Sequence, residues 1–363
     1  MKSKKNKEYI VLGTMSGTSL DGLDLAICRF QYIRNKWNYD LLRSKTVVFS
    51  NELRKQLENA QSLSGNAVIH LDNEFGNFIG WKSKEFVAET GLAVEFISSH
   101  GHTVFHQPEN CITFQIGSGA CIAAITGITT VNDFRRTDVA LGGQGAPMVP
   151  AGDDILFSEY DYCLNLGGFA NISFRSNNKR IAFDICPVNI ILNLLSQRQG
   201  KLFDNDGLLG SSGTVDINLY TKLNDLGYYK LAPPKSLGKE WVDQKFIPVL
   251  DETELPEANK IRTVYEHIST QIASIPRKNK TVLITGGGIH NKFLRDLIIK
   301  YCKANCIIPA DNIINYKEAI IFAFLGLLRI MNKINCYASV TGASRDSCCG
   351  VVNVGKNSGY ISA

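Results

Sequence analysis

The sequence predicts an α/β protein of two domains built on one repeated plan, each with mixed sheets flanked by helices, and a central cleft between them. Three glycine-rich strand ends predict it. The first is Gly13 to Asp24, GTMSGTSLDGLD, where the apolar run Tyr9 to Leu12 enters a turn of small, hydroxylated and acidic residues and a second apolar run, Leu23 to Phe30, leaves it. The second is YCLNLGGFANISF, which begins after Asp161 and repeats the strand, turn and strand. The third is the short run Thr281 to Ile284, which ends in Thr285, Gly286, Gly287 and Gly288.

The remaining elements follow in order. Asn51 to Leu63 and His70 to Glu89 read as helices, the second with Leu71, Phe75, Phe78, Ile79 and Phe86 at helical spacing, and Ala93 to Ser98 as a strand. Ile112 to Ile116 is a strand, Gly119 to Thr126 a helix of small residues, and Ile128 to Val131 a strand delivering NDFRRTDVALGGQGAPMVP, a loop too polar and glycine-rich to be mere connection. Beyond the second hairpin come the run Arg180 to Phe183 and a helix from about Val188 to Gln199, with Pro187 where a first turn tolerates proline. Ile261 to Ile275, Asn291 to Lys300 and the strongly apolar Lys317 to Met331 are helical, and Ile307 with Ile308 is a short strand. Leu231 to Asp243, with Pro233 and Pro234, is the most linker-like stretch. The domains are expected at residues 1–130 with about 340–363, and at 131–339.

Composition narrows the classes. At 363 residues and 44% hydrophobic the chain has length for two ordinary domains, and no stretch approaches the roughly 20 apolar residues of a membrane span. The start, MKSKKNKEYIVLG, lacks a cleavage site after its short apolar run, so a cytoplasmic protein is expected. The net charge of +5 is spread thinly, with no basic stripe interleaved with aromatics; nucleic acid is not an expected partner, and the mild excess suits a small anionic substrate. Ten cysteines are scattered, mostly in apolar runs, which predicts buried thiols in place of disulfides; Cys302 and Cys306 have no second pair at finger-like spacing, and Cys348 and Cys349 are merely adjacent, so no structural zinc is expected.

The first turn holds an inventory for a nucleotide phosphate with Mg²⁺. Gly13, Gly17 and Gly22 let backbone amides approach a ligand, Thr14, Ser16, Thr18 and Ser19 offer hydroxyls, and Asp21 and Asp24 suit a cation. It matches neither GxxxxGK[ST] nor GxGxxG, and by itself also fits a plain Gly/Ser hairpin turn. Two such turns with a third glycine-rich strand end imply a duplicated fold gripping one ligand from both sides. The pattern resembles the actin-like (ribonuclease H-like) superfamily, in which two hairpins face the phosphates of ATP and a glycine-rich junction takes the adenosine.

The motifs GTMSGTSLDGLDLA, SSHGHTVFH, DFRRTDVALGGQGAPMVP, LNLGGFANIS, PPKSLGKEW, TGGGIHN, EAIIFAFLG and VTGAS run in order from residue 13 to 344, and the chain that carries them resembles the anhydro-N-acetylmuramic acid kinase family. The resemblance implies an ATP- and Mg²⁺-dependent enzyme of cell-wall recycling that hydrolyses the 1,6-anhydro bridge of an amino sugar and phosphorylates the released O6; it also suggests a homodimer. It places Gly17, Thr18, Ser19, Leu20, Asp21, Gly22, Leu23 and Asp24 on the ATP phosphates, with Asp21 or Asp24 orienting Mg²⁺ through water, Gly167 and Gly168 on the opposing hairpin, and Gly286, Gly287 and Gly288 under the adenosine. Asn165 and Asn171 are expected to secure the second hairpin.

Asp184 is the candidate base for the attacking water: it ends an apolar strand just before a helix N-terminus, a place that equally suits a simple cap. Arg135 and Arg136 lie in the sugar-binding segment, one expected to face the sugar through its fork and the other to pair with Asp133 or Asp138. His100 and Asn189 are further expected sugar contacts. Glu318, read as opening the last helix, matches a family glutamate near the substrate and is also ordinary capping chemistry. His100 and His102, two apart with no third ligand nearby, read as structural groups lining the cleft more readily than as metal ligands. Lys235 and Lys239 read as solvated charges with a lesser claim to function. One departure stands out. Where the family commonly has FDTGPGN, this chain has FDICPVN, with Ile185, Cys186 and Val188 in place of small or polar residues, which admits a related hexosamine kinase without ring opening, or a nucleotide-binding sensor, as rivals.

Overall fold

The structure is a computed structural model and describes residues 7–17 and 20–356; Thr18 and Ser19 of the first turn lie outside the described residues. The chain forms two compact units, one running to Phe157 and resuming at Tyr316, the other Ser158–Asn315.

In the first unit the strands are β1 (Glu8–Ser16), β2 (Gly22–Ile33), β3 (Lys36–Val48), β4 (Phe96–Ser99), a separate hairpin of β5 (His102–Gln107) and β6 (Ile112–Ile116), and β7 (Thr130–Asn132). The second contributes β8 (Tyr162–Leu166), β9 (Phe169–Ser176), β10 (Lys179–Pro187), β11 (Thr281–Thr285) and β12 (Asn305–Ile307), and β13 (Val351–Asn353) returns to the first. The first sheet runs β13-β7-β4-β1-β2-β3: β1, β2 and β3 form an antiparallel meander, β4 and β7 add parallel to β1, and β13 closes antiparallel on β7. The second runs β10-β9-β8-β11-β12, again an antiparallel meander followed by two parallel strands. The repeated order makes this the mixed, duplicated, actin-like α/β architecture expected.

Burial explains the order. Leu23, Leu25 and Ile27 on β2 are fully buried, as suits an inner strand, whereas β3 carries Arg43 and Lys45 and an exposed Val48, charged features that blunt a sheet edge. That mixture hid β3 from pattern reading. The helix Gly65–Thr90 lays Leu71, Phe75, Ile79 and Phe86 on the core; Ser64 accepts from the Ala67 amide, so it starts five residues before the apolar stripe suggested, and Gly91 at φ +66° ends it. In the second unit Leu164, Ile172, Ile191, Leu195, Ile268 and Ile284 share one core with Leu219, Leu223, Val242, Phe246 and Leu250. The stretch Leu231 to Asp243 therefore lies inside this unit and links no domains. All ten cysteines are free thiols, with Cys28, Cys163, Cys186, Cys336 and Cys349 buried.

The divisions fall after Phe157 and before Tyr316, not after residue 130 and near 340. The helix Val149–Leu156 presents Asp153 to Lys317, and Gly152 abuts Ile321, which ties the long loop after β7 to the first unit. The helix Asp311–Ile330 starts earlier than Lys317, and from Tyr316 onward it packs on the first sheet: a Cβ at Gly13 would strike the Ala319 carbonyl oxygen, and Ser98 donates to the Phe322 carbonyl at 2.5 Å.

At the end of β11, Gly286 has φ +88°, and a Cβ there would lie 2.5 Å from Asn165 Oδ1 and 2.8 Å from the Leu166 nitrogen. Gly287 beside it faces open space. Gly286→Ala is expected to lose about 2–4 kcal/mol of stability and Gly287→Ala less than about 1 kcal/mol, read as the difference between their urea midpoints at constant slope.

Candidate functional site

Two groups of side chains, one on each unit, hold the expected site residues. On the first unit, the turn after β1 is closed by the Leu20 amide donating to Gly17 O at 3.3 Å, with Leu20 at φ +53° and its carbonyl accepting from Arg54 Nε at 3.0 Å. Leu20 and Leu23 bury their side chains in the core, so they offer a ligand only backbone. Gly22 is explained by β3, since a Cβ would lie 2.7 Å from Val47 O; Gly13 likewise makes room for a helix and not for a ligand.

Asp24 and Thr46 face each other across β2 and β3, and the Thr46 hydroxyl donates to Asp24 Oδ1 at 2.6 Å with the Tyr316 hydroxyl 3.1 Å away. Burial raises the Asp24 carboxyl to about 6, helped by the charges of Asp21 and Glu318 and opposed by Thr46. Asp21 and Asp24 are neighbouring carboxylates whose repulsion a cation would relieve, and hard oxygen donors of this kind suit Mg²⁺.

Arg135 shares with Asp24 the field of Glu318. Its Nε and Nη2 contact His100 Nε2 at 3.0 and 2.9 Å, and Nη1 donates to Gly145 O at 2.8 Å. His100 Nδ1 sits 3.0 Å from Gly101 O, which accepts only, so the proton is on Nδ1 and Nε2 is the acceptor. Burial, then the charge of Arg135, holds this imidazole well below its ordinary pKa, and burial lowers the Arg135 guanidinium to about 10. Arg136 is exposed and pairs with Asp133 at 3.3 Å, so of the two arginines it is the one with the expected ion pair. Among the described residues Asp138 pairs with no arginine; it accepts from the Gly145 amide at 2.8 Å and from the Thr341 hydroxyl at 2.8 Å, and so shapes the loop. Glu318 lies two turns into the helix Asp311–Ile330, which removes the capping explanation. Burial raises its carboxyl, and Lys317 and Arg135 oppose this. His102 sits 3.2 Å from the Ser16 hydroxyl, lowered by burial to about 4.

On the second unit, β10 has a bulge between Asp184 and Cys186. The extra residue breaks strand alternation and aims Asp184 away from the core while Ile185, Cys186 and Val188 all enter it. None of the three has positive φ, so the glycines of the family pattern are not demanded by backbone conformation here. Asp184 Oδ2 accepts from the Leu237 amide at 2.9 Å, and the Asp184 amide donates to Lys235 O at 3.3 Å, so residues 235–237 strap over it. Burial raises the Asp184 carboxyl to about 6, and the Leu237 amide opposes this. Lys235 is half-buried, its ammonium 4.6 Å from the centre of the Tyr228 ring and 5.6 Å from that of Phe183, and 3.2 Å from Tyr228 O; Lys239 is the solvated charge expected, paired with Asp243. Sequence reading missed the strap because the two prolines read as a linker, although PPKSLGKEW marked it.

Nearby, the tip of the second hairpin caps a helix. Gly168 O accepts from Val188 and Ile190, and Gly167 O from Asn189, at the start of Asn189–Arg198. Asn165 and Asn171 are cross-strand partners below the tip. A Cβ at Gly288 would lie 3.0 Å from Leu166 O and 3.4 Å from Asn189 Oδ1, so Asn189 belongs with Gly167, Gly168 and Gly286 to Gly288 on this unit.

Comparison with known proteins shows the family. Residues 9–355 match the family model described as anhydro-N-acetylmuramic acid kinase. Proteins of that name from Synechococcus elongatus and Mannheimia succiniciproducens are 34% and 33% identical, over 92% and 95% of this chain and 96% and 99% of their own. Among solved structures, the (R)-2-hydroxyglutaryl-CoA dehydratase component A of Acidaminococcus fermentans is similar over 87% of this chain and 96% of its own at a TM-score of 0.43 and 11% identity, too distant to add to the argument.

The residue before Glu318 anchors its helix: Lys317 Nζ lies 2.7 Å from Asp153 Oδ1 with both side chains about 5% exposed. Lys317→Met is expected to cost about 3–5 kcal/mol in chemical denaturation, because it leaves the Asp153 charge buried without its cation.

Proposed function

Because the chain belongs to the anhydro-N-acetylmuramic acid kinase family, we propose that it opens the 1,6-anhydro ring of anhydro-N-acetylmuramic acid with water and transfers the γ-phosphoryl group of ATP to O6, giving the 6-phosphate sugar in cell-wall recycling. The observation that carries this reading is the Asp184 carboxylate, half-buried under the strap and held by the Leu237 backbone amide. A general base works best with a pKa near the working pH, and a carboxyl at about 6 is ionised at neutrality yet more basic than one in water. In this scheme Asp184 takes a proton from water, the water oxygen bonds to the anomeric carbon as the carbon–O6 bond breaks, and O6 bonds to the γ-phosphorus as ADP leaves. Mg²⁺ near Asp21 and Asp24 supplies charge neutralisation on the phosphates. Arg135 presents its fork to the lactyl carboxylate, and Glu318 lies in its field to meet neutral sugar groups. The buried placement of Ile185, Cys186 and Val188 gives no support to an altered sugar.

Turnover in H₂¹⁸O is expected to place label at the anomeric hydroxyl of the phosphorylated product; phosphate transfer without label sinks the ring-opening step, and no product at all sinks the kinase. Asp184→Asn is expected to abolish turnover with ATP affinity kept. For the wild-type protein, kcat/KM is expected to be level above about pH 6 and to fall about tenfold per unit below it, as the raised carboxyl takes up its proton.

A further inference from the structure

We propose that His100 is a positioning residue that holds Arg135 through an uncharged acceptor, so that the guanidinium keeps its full charge for the substrate's carboxylate. The proposal rests on the reading of Arg135 given above. Both ring nitrogens of His100 are used within the first unit, Nδ1 by Gly101 O and Nε2 by Arg135, which leaves no ring nitrogen for a sugar contact. The ring is 4% exposed and lies against Phe322, centroids 4.6 Å apart, one helical turn beyond Glu318. Its position is therefore fixed from two sides.

The consequence for Arg135 follows from counting donors. Nε and one N–H of Nη2 converge on the single lone pair of His100 Nε2, and one N–H of Nη1 reaches Gly145 O. One N–H then remains on each terminal nitrogen, and these are the donors available to a carboxylate. Both acceptors are neutral. Glu318 acts on Arg135 through its charge only, without a hydrogen bond. An aspartate or glutamate at position 100 would hold the guanidinium as firmly while cancelling the charge that recruits an anion.

The test compares kcat/KM for anhydro-N-acetylmuramic acid with that for the same anhydro sugar lacking the lactyl ether, in the wild type and in His100→Gln, His100→Leu and His100→Asp. The wild type is expected to prefer the carboxylated sugar. His100→Gln keeps a neutral acceptor and should retain that preference within about threefold, whereas His100→Leu should lose about tenfold and His100→Asp more, through KM for the acid with KM for ATP unchanged. Thermal unfolding identifies any variant that fails to fold, and His100→Met, similar in bulk and without a matching acceptor, takes its place. A preference that survives in all variants, or activity falling equally on both sugars, overturns the positioning role. A wild type indifferent to the carboxylate overturns the reading of Arg135 itself.

Discussion

The first unit depends on one close approach: the helix Asp311–Ile330 crosses β1 so tightly that position 13 has no room for a side chain beside the Ala319 carbonyl. The same helix meets β4 where Ser98 donates to Phe322 O. Its register against the sheet is therefore fixed at two levels, and everything polar on it inherits that register. Tyr316 reaches the Thr46 hydroxyl, Lys317 reaches Asp153, Glu318 comes into the fields of Asp24 and Arg135, and Phe322 supports His100. A slip of one residue along the helix would turn these groups by about 100° and scatter them. The close approach at Gly13 and the Ser98 hydrogen bond set the geometry; the buried Lys317 and Asp153 pair then adds directionality, since a buried pair contributes little net stability but penalises arrangements that separate it.

The second unit solves a different problem, partly burying a carboxylate without neutralising it. Asp184 sits between opposing influences: burial raises its pKa, and the Leu237 amide lowers it. Burial wins because, among the described residues, the carboxylate has one donor. A carboxylate cradled by two or three amides would be strongly acidic and a poor base. The strap supplies just one because its backbone meets β10 at two points, the Lys235 carbonyl taking the Asp184 amide and the Leu237 amide taking the carboxylate. The Lys235 side chain turns to other partners: its ammonium lies over Tyr228 and Phe183 and at the Tyr228 carbonyl.

Much of the fold was legible because its inner strands are apolar and their ends are glycine-rich. The runs before Gly13, Gly167 and Gly286 became β1, β8 and β11, and the strands Ile112–Ile116 and the helix Gly119–Thr126 lie where periodicity placed them. The edge strand β3 was not legible, since an edge alternates burial with charge and lacks an apolar run. The strap was misread for a related reason: prolines mark a break in regular structure, and such a break serves a linker and a loop folded over a side chain alike. Local pattern also could not separate Arg135 from Arg136. Neighbours in sequence, they diverge because Asp133 draws one outward while His100 and Gly145 draw the other in. The same limit applied to Glu318, whose role as a cap was plausible only while the helix start was misplaced.

The glycines sharpen what the fold leaves unexplained. At Gly13, Gly22 and Gly286 the missing Cβ is accounted for by the chain itself, through a helix, a strand and a hairpin in the space a side chain would need. At Gly168 and Gly287 it is not: neither has a neighbour within 4 Å of a Cβ position, and neither has positive φ. Backbone entropy argues against glycine where nothing requires it. Gly65 and Gly227 share that openness, so it does not by itself mark a ligand; what distinguishes Gly168 is its place at the hairpin tip that caps Asn189–Arg198. The helix amides there are already taken by Gly167 and Gly168 carbonyls, so an anion at this place would meet glycine backbone and not a free helix terminus. Of the glycines the sequence singled out, Gly168 and Gly287 are two whose missing Cβ packing leaves unexplained.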